Sequence, residues 1–186
     1  MVRCERYVPY GTLRCVSSTR LTETSYIVLG LLEHLQPATA YDIKRFAQES
    51  TVNFWSLPHT QLYTECQRLV ESGLLAEERE QDGRRRRIYS LTASGRDALA
   101  SWRAEPTAQL YELRDVATLK LFFGADPVAL AATQVQAHEQ RLKHYRELKA
   151  SLADAPEGWR LALEVGIGHE REYIRFWSRL GAGEQP

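Results

Sequence analysis

Apolar positions three and four apart organise this chain from residue 21 onward. Tyr26, Ile27, Leu29, Leu31, Leu32 and Leu35 cover a wide helical face, as in a helix buried on several sides. Thr22 is placed to cap its start and Pro37 to end it. Thr39 caps a second expected helix running to about Ser50, with Tyr41, Ile43, Phe46 and Ala47 inward. Residues 51–55 form a short β-rich connector. Pro58 suits the first turn of a third helix, with Ser56 or Leu57 ahead of it. Leu62, Cys66, Leu69 and Val70 then make an inward stripe, and Gly73 is a good C-terminal stop.

The period then changes. Residues 74–80 and 84–91 read as strands around Gln81-Asp82-Gly83, and Asp-Gly between two such runs signals a hairpin. Thr92 caps a fourth helix from Ala93 to about Ala104, and Pro106 interrupts. The order helix–helix–helix–hairpin–helix is that of a winged helix-turn-helix, in which the third helix enters the major groove and the hairpin reaches the backbone beside it.

The remainder is helical. Residues 116–123 make a short apolar helix ended by Gly124, and Asp126-Pro127 starts a long one. Val128, Ala131, Val135, His138, Leu142, Tyr145, Lys149 and Leu152 alternate as an a/d seam, imperfect at His138 and Lys149. Pro156-Glu157-Gly158 breaks it, and a last helix over 159–180 is expected to bury Trp159, Leu163, Ile167, Ile174 and Trp177. The seam fits an intrachain hairpin core or an intersubunit one. A long arm that buried only itself is marginal, so Val128, Val135, Leu142, Tyr145, Leu152, Trp159, Leu163, Ile174 and Trp177 are taken as dimerisation residues.

The expected fold class is therefore mainly α: an N-terminal winged helix-turn-helix (three helices, β-hairpin wing, linking helix) plus a C-terminal helical dimerisation domain. Its expected parts are a mobile arm over 1–20, the winged domain over 21–105, the dimerisation domain over 106–181 and a tail over 182–186.

Charge changes the picture only locally. The formal net charge is zero, which argues neither for nor against nucleic acid until its distribution is considered. Residues 1–103 carry 14 Lys+Arg against 12 Asp+Glu, and the rest 10 against 12. The strong departure is the run Arg84, Arg85, Arg86, Arg87 directly after the hairpin turn. Strand alternation sends Arg85 and Arg87 to one face and Arg84 and Arg86 to the other. Only one hairpin face packs on a core, so such a run points to phosphate contact. The bland reading is a charged edge strand paired with Glu77, Glu78 and Glu80 opposite. On the third helix, Thr60, Thr64 and Arg68 face out, with Gln61 at the margin and Tyr63 and His59 on the opposite flank. Groups of this kind bond base edges and phosphates.

At this point the residues resemble the PadR-like transcriptional regulators, from about Leu21 to Leu180. The resemblance rests on the opening helix, on Ala40-Tyr41-Asp42-Ile43-Lys44, and on Phe54-Trp55 followed by His59-Thr60-Gln61-Leu62-Tyr63. Leu69-Val70-Glu71-Ser72-Gly73-Leu74-Leu75, the wing from Gly83 to Thr92, Lys120-Leu121-Phe122-Phe123-Gly124 and the closing helices with Trp159 and Trp177 add to it. It implies a dimeric repressor, often of detoxification, efflux or aromatic-acid stress genes. Its C-terminal helices would exchange across the two-fold, with small-molecule responses near the junction of the two regions. By that likeness His59, Thr60, Gln61 and Tyr63 map onto the DNA-reading helix, and Tyr41 and Lys44 onto the helix before it. Pro58 departs from the Ser or Thr cap of many members, so the cap shifts to Ser56, and the first twenty residues lie outside the likeness.

Other chemistry recedes. His169-Glu170 is not a His-Glu-x-x-His motif, since residue 173 is Tyr. His138 and His144 do not share a helix face well, so no metal site is expected. Cys4, Cys15 and Cys66 match neither a disulfide framework nor a paired zinc motif, and Cys66 reads as a small core residue. There is no phosphate loop or nucleophile elbow, so neither an enzyme nor a cofactor is expected. Residues 110–123 with Trp159, Tyr173, Phe176 and Trp177 line either a pocket for a flat aromatic or hydrophobic effector or a dimer core. No secretory signal or membrane span is read, which favours the cytoplasm. The expected partners are palindromic double-stranded DNA and a second copy of the chain. The alternative, kept open by zero net charge, is a winged-helix protein-interaction module.

Overall fold

The computed structural model describes residues 20–50, 55, 59–80 and 85–184, and at residues 59 and 60 the backbone alone. The chain divides into two compact units, Met1–Ala108 and Gln109–Pro186. The expected N-terminal arm, the third-helix cap at Ser56 and Pro58, and the Gln81-Asp82-Gly83 turn with Arg84 lie outside the described residues.

In the first unit, α1 (Glu23–Leu35) is the central helix and packs against α2 (Ala40–Glu49), α3 (His59–Glu71), α4 (Ala93–Ala104) and strand β3 (Arg87–Leu91). Val28, Leu29 and Leu32 of α1 are fully buried with Ile43, Cys66 and Leu69. The helix boundaries follow local chemistry. The Thr39 backbone N–H and hydroxyl both donate to Asp42 Oδ2, and Asp42 N–H returns a bond to Thr39 Oγ1, closing a capping box on α2. At the end of α3, Gly73 takes φ +73°. Leu74 N then bonds the Leu69 carbonyl at 2.9 Å and Gly73 N the Val70 carbonyl at 2.9 Å, a Schellman ending.

Strands β2 (Leu75–Arg79) and β3 form the hairpin, with Leu75 opposite Leu91, Glu77 opposite Tyr89 and Arg79 opposite Arg87. A third strand went unforeseen. β1 (Ala38–Thr39) pairs antiparallel with β3, giving the order β1-β3-β2. Two residues are too short to show alternation. Next to it, Gln36 Oε1 accepts from Leu91 N at 2.8 Å.

The second unit holds α5 (Val116–Phe122), α6 (Pro127–Ser151) and α7 (Glu157–Gly181). Asp126 caps α6 by accepting from Val128 N at 3.0 Å. Helices α6 and α7 fold back on each other: Lys149 meets Glu164, His138 meets Glu170, and Ala131 abuts Gly181. Gly166 admits the Tyr145 ring, which a Cβ there would meet at 3.0 Å.

This hairpin covers the seam within one chain. Leu142, Tyr145, Leu163 and Ile167 form one buried cluster with Leu152 and Ile174 against it. Trp177, Ala131 and Ala117 form another, with Val135 packed on it. Within one chain, then, the seam residues pack between α6 and α7. Periodicity reports that a stripe is buried, not against which partner. Of the expected dimerisation set, Val128 is half exposed, at 50%, and Trp159 is partly buried.

Candidate nucleic-acid interface

Helix α3 presents a polar outer face because its inner face is fully used. Leu62, Cys66 and Leu69 are buried, leaving Gln61, Tyr63 and Thr64 exposed. Gln61 and Thr64 line a shallow groove with Thr22 and Thr24 from the start of α1. His59 and Thr60 form the first turn of α3, and their side chains lie outside the described residues. In α2, Lys44 is partly buried. Tyr41 is 62% exposed, against its expected inward placement. As the second residue of a capped helix, it lies beyond the edge of the core that holds Ile43 and Ala47.

Arg68, expected to face DNA, is engaged within the fold. Its Nε donates to Glu65 Oε2 at 2.9 Å, its Nη2 to Glu65 Oε1 at 2.5 Å and to Ser25 Oγ at 2.8 Å, and its Nη1 to the Arg20 carbonyl at 3.2 Å. Glu65 is buried and Ser25 fully so. Burial pushes the Glu65 carboxyl up, but bonds from Arg68 and Ser25 outweigh this and hold it below the usual range. The Glu65–Arg68 spacing, three residues apart on one helix, was readable as a pair. The third partner, 43 residues away, was not.

The wing also differs from expectation. Strand β3 begins at Arg87, so Arg85 and Arg86 belong to the loop and strand alternation does not govern them. Arg85 has φ +49°, a left-handed setting found in turns, and its side chain is exposed. Among the described residues it has no ion-pair partner. Arg86 is held by Glu80 through two bonds of 2.9 Å, and their backbones also pair, Glu80 N to the Arg86 carbonyl at 3.0 Å. The bond from Arg86 lowers the Glu80 carboxyl and the bond to Glu80 raises the Arg86 guanidinium. Arg87 reaches Glu77 at 3.4 Å, and Arg79 reaches the same carboxylate at 3.2 Å. Arg79 and Arg87 stand opposite each other in register, so Glu77 relieves a like-charge pair. Glu78, the other expected partner, is exposed.

Burial pushes the Cys66 thiol up to about 12, so it remains a core thiol. Among the described residues, no group of His, Cys, Asp and Glu could hold a metal ion, and no helix is long and apolar enough to cross a membrane.

A three-helix core that exposes a polar third helix beside a three-stranded sheet with a cationic hairpin tip defines a winged helix-turn-helix module. Residues 28–101 match the transcriptional regulator PadR-like family, and residues 113–180 match the virulence activator alpha C-terminal family. The negative transcriptional regulator PadR of Bacillus subtilis (strain 168) is 28% identical over 167 residues, covering 80% of this chain and 90% of that protein. The Vibrio cholerae virulence activator AphA is similar in structure, with a TM-score of 0.65, 27% identity and coverage of 86% and 96%. Bacillus subtilis PadR in complex with operator DNA shares the fold, with a TM-score of 0.75, 24% identity and coverage of 85% and 96%. Across both matched regions the chain is similar to the PadR-like transcriptional regulators.

Proposed function

We propose that the chain is a homodimeric, non-enzymatic repressor acting in the cytoplasm, which reads a palindromic DNA operator and is released or modulated by a small aromatic or hydrophobic effector. The observation that carries the DNA reading is the exposed polar face of α3, with Gln61, Tyr63 and Thr64, beside a wing whose Arg85 is exposed and without an ion-pair partner among the described residues. Gln and Thr bond base edges without the indiscriminate pull of a cation, while Arg85 supplies a sequence-independent phosphate contact. Tyr41, Lys44, His59, Thr60 and Arg84 are assigned to the same DNA-binding role. Repression is supported by the likeness to a negative regulator, and the effector class by the solved Bacillus subtilis PadR in complex with p-coumaric acid.

Dimerisation is supported by the second unit's surface. Leu110 is 87% exposed, Phe122 82% and Phe123 77%. Large apolar side chains left this open are candidates for a contact site, and we assign Leu110, Phe122, Phe123 and Val128 to contact with a second copy of the chain.

Selection of random duplexes by the purified protein should return a palindrome with half-site centres roughly 34 Å apart. Arg85→Gly suits the left-handed backbone and removes the exposed side chain with its charge. It should weaken binding equally on selected and random duplexes and lower the salt slope by about 0.9. No enrichment of any duplex would end the DNA reading; enrichment with an unchanged slope would remove Arg85 alone.

A further inference from the structure

We propose that Arg68, with Glu65 and Ser25, is a positioning residue of DNA recognition: it sets the rotation of α3 about its own axis and so decides which bases Gln61, Tyr63 and Thr64 reach. The inference rests on the DNA reading above but not on any contact of Arg68 with DNA.

A buried carboxylate in a recognition helix is unusual chemistry for a core. Replacing a buried ion pair by apolar residues of similar volume is often neutral or stabilising, so stability alone gives little reason for a charge at Glu65. What such a pair supplies is direction. The planar guanidinium meets both Glu65 oxygens along one side, while its other donors reach the Ser25 hydroxyl and the Arg20 carbonyl. Ser25 is itself fixed, because its oxygen accepts from Thr22 N at 2.8 Å at the start of α1. The chain of bonds therefore runs from the first turn of α1 to the middle of α3.

The apolar contacts of α3 are less exacting. Leu62, Cys66 and Leu69 gain from burial whether or not the helix turns by some degrees, since the hydrophobic effect is non-directional. The bonds from Arg68 to the Ser25 hydroxyl and the Arg20 carbonyl leave α3, and these directional contacts do not tolerate that turn. Glu65 also lines the same groove as Gln61 and Thr64, so any rotation that breaks the Arg68–Ser25 link moves the reading side chains with it. A bidentate base contact is sensitive to such a displacement.

The test compares wild type with Arg68→Lys and with the apolar pair Glu65→Leu/Arg68→Leu, on the duplex selected by wild type and on a random duplex, across a salt series. Arg68→Lys keeps the charge and loses the planar fork through which one side chain holds Glu65, Ser25 and the Arg20 carbonyl together. Both variants are expected to lose about tenfold in the ratio of selected to random affinity, the scale of one lost base contact. Repeating the selection with the apolar pair should return a shifted preference. The salt slope stays at the wild-type value in both. Thermal unfolding of the apolar pair should match or exceed wild type, which separates positioning from stability; if that pair fails to fold, Arg68→Lys carries the test alone. An unchanged ratio in a folded variant overturns the proposal. So does an equal loss on both duplexes with a slope lowered by about 0.9, which would make Arg68 a phosphate contact. If wild type prefers no duplex, the underlying DNA reading fails, and that outcome is visible before any variant is made.

Discussion

Gly95→Ala should unfold the winged module at markedly lower temperature, for a reason visible in one contact. Gly95 lies in the first turn of α4, and a Cβ there would sit 2.2 Å from the Leu74 carbonyl oxygen and 3.2 Å from its carbon. Ordinary non-bonded contact needs about 3.5 Å, so α4 must withdraw by roughly 1 Å. The same carbonyl accepts from Thr92 N at 3.2 Å and Thr92 Oγ1 at 3.0 Å, so withdrawal lengthens both. Overpacking costs about 1–3 kcal/mol and two weakened hydrogen bonds about 0.5–1.5 kcal/mol each. Better helix propensity offsets at most about 1 kcal/mol. A net loss of about 3 kcal/mol lowers Tm by about 12–24 °C for a unit of this size. Gly30→Ala is the internal control. It lies within α1, nothing is within 4 Å of its Cβ position, and the same change should stabilise by about 0.5–1 kcal/mol. Thermal and urea unfolding read both. A Tm for Gly95→Ala at or above wild type would refute the claim that close backbone approach requires this glycine.

Glu80→Gln should tighten binding to any duplex, because Arg86 is then free to meet phosphate. One added phosphate contact gives a slope steeper by about 0.9, so the gain should shrink about 3.5-fold between 50 and 200 mM salt; equal or weaker binding in a salt titration would show that Arg86 points elsewhere in the complex. In a Cys4→Ser/Cys15→Ser background the remaining Cys66 should react with a thiol reagent at neutral pH only on unfolding, since its thiol is held near 12; rapid labelling of native protein would contradict its burial. Phe122→Ser/Phe123→Ser should convert the proposed dimer towards monomer in sedimentation while leaving the α6–α7 core intact, and an unchanged mass would move the dimer contact to another surface.

The sequence showed elements where local chemistry decides them. The caps at Thr22, Thr39, Thr92 and Asp126 and the stops at Gly73 and Gly124 each depend on neighbours within a few residues, and all were readable. The inward stripe of α3 was equally plain, since Leu62, Cys66 and Leu69 lie at helical spacing. What stayed hidden depends on partners distant in the chain. β1 is an edge completed only by β3. Arg68 looked like a surface cation until Ser25 closed its far side. The a/d seam of α6 marked a buried stripe but could not name α7 as its cover.

The same distinction explains why zero net charge misleads here. The wing run reads as concentrated positive charge, yet the fold gives two of its members carboxylate partners: Glu80 for Arg86 and Glu77 for Arg87. Exposed pairs of this kind contribute little to stability, so their main effect is on the field that approaching DNA meets. On the proposed reading, Arg85 carries more of the phosphate attraction than Arg86 and Arg87, and the uncharged face of α3 carries discrimination. A protein built this way binds bulk DNA weakly for its arginine content, leaving sequence preference to the orientation of α3, which is where the Glu65–Arg68–Ser25 contacts act.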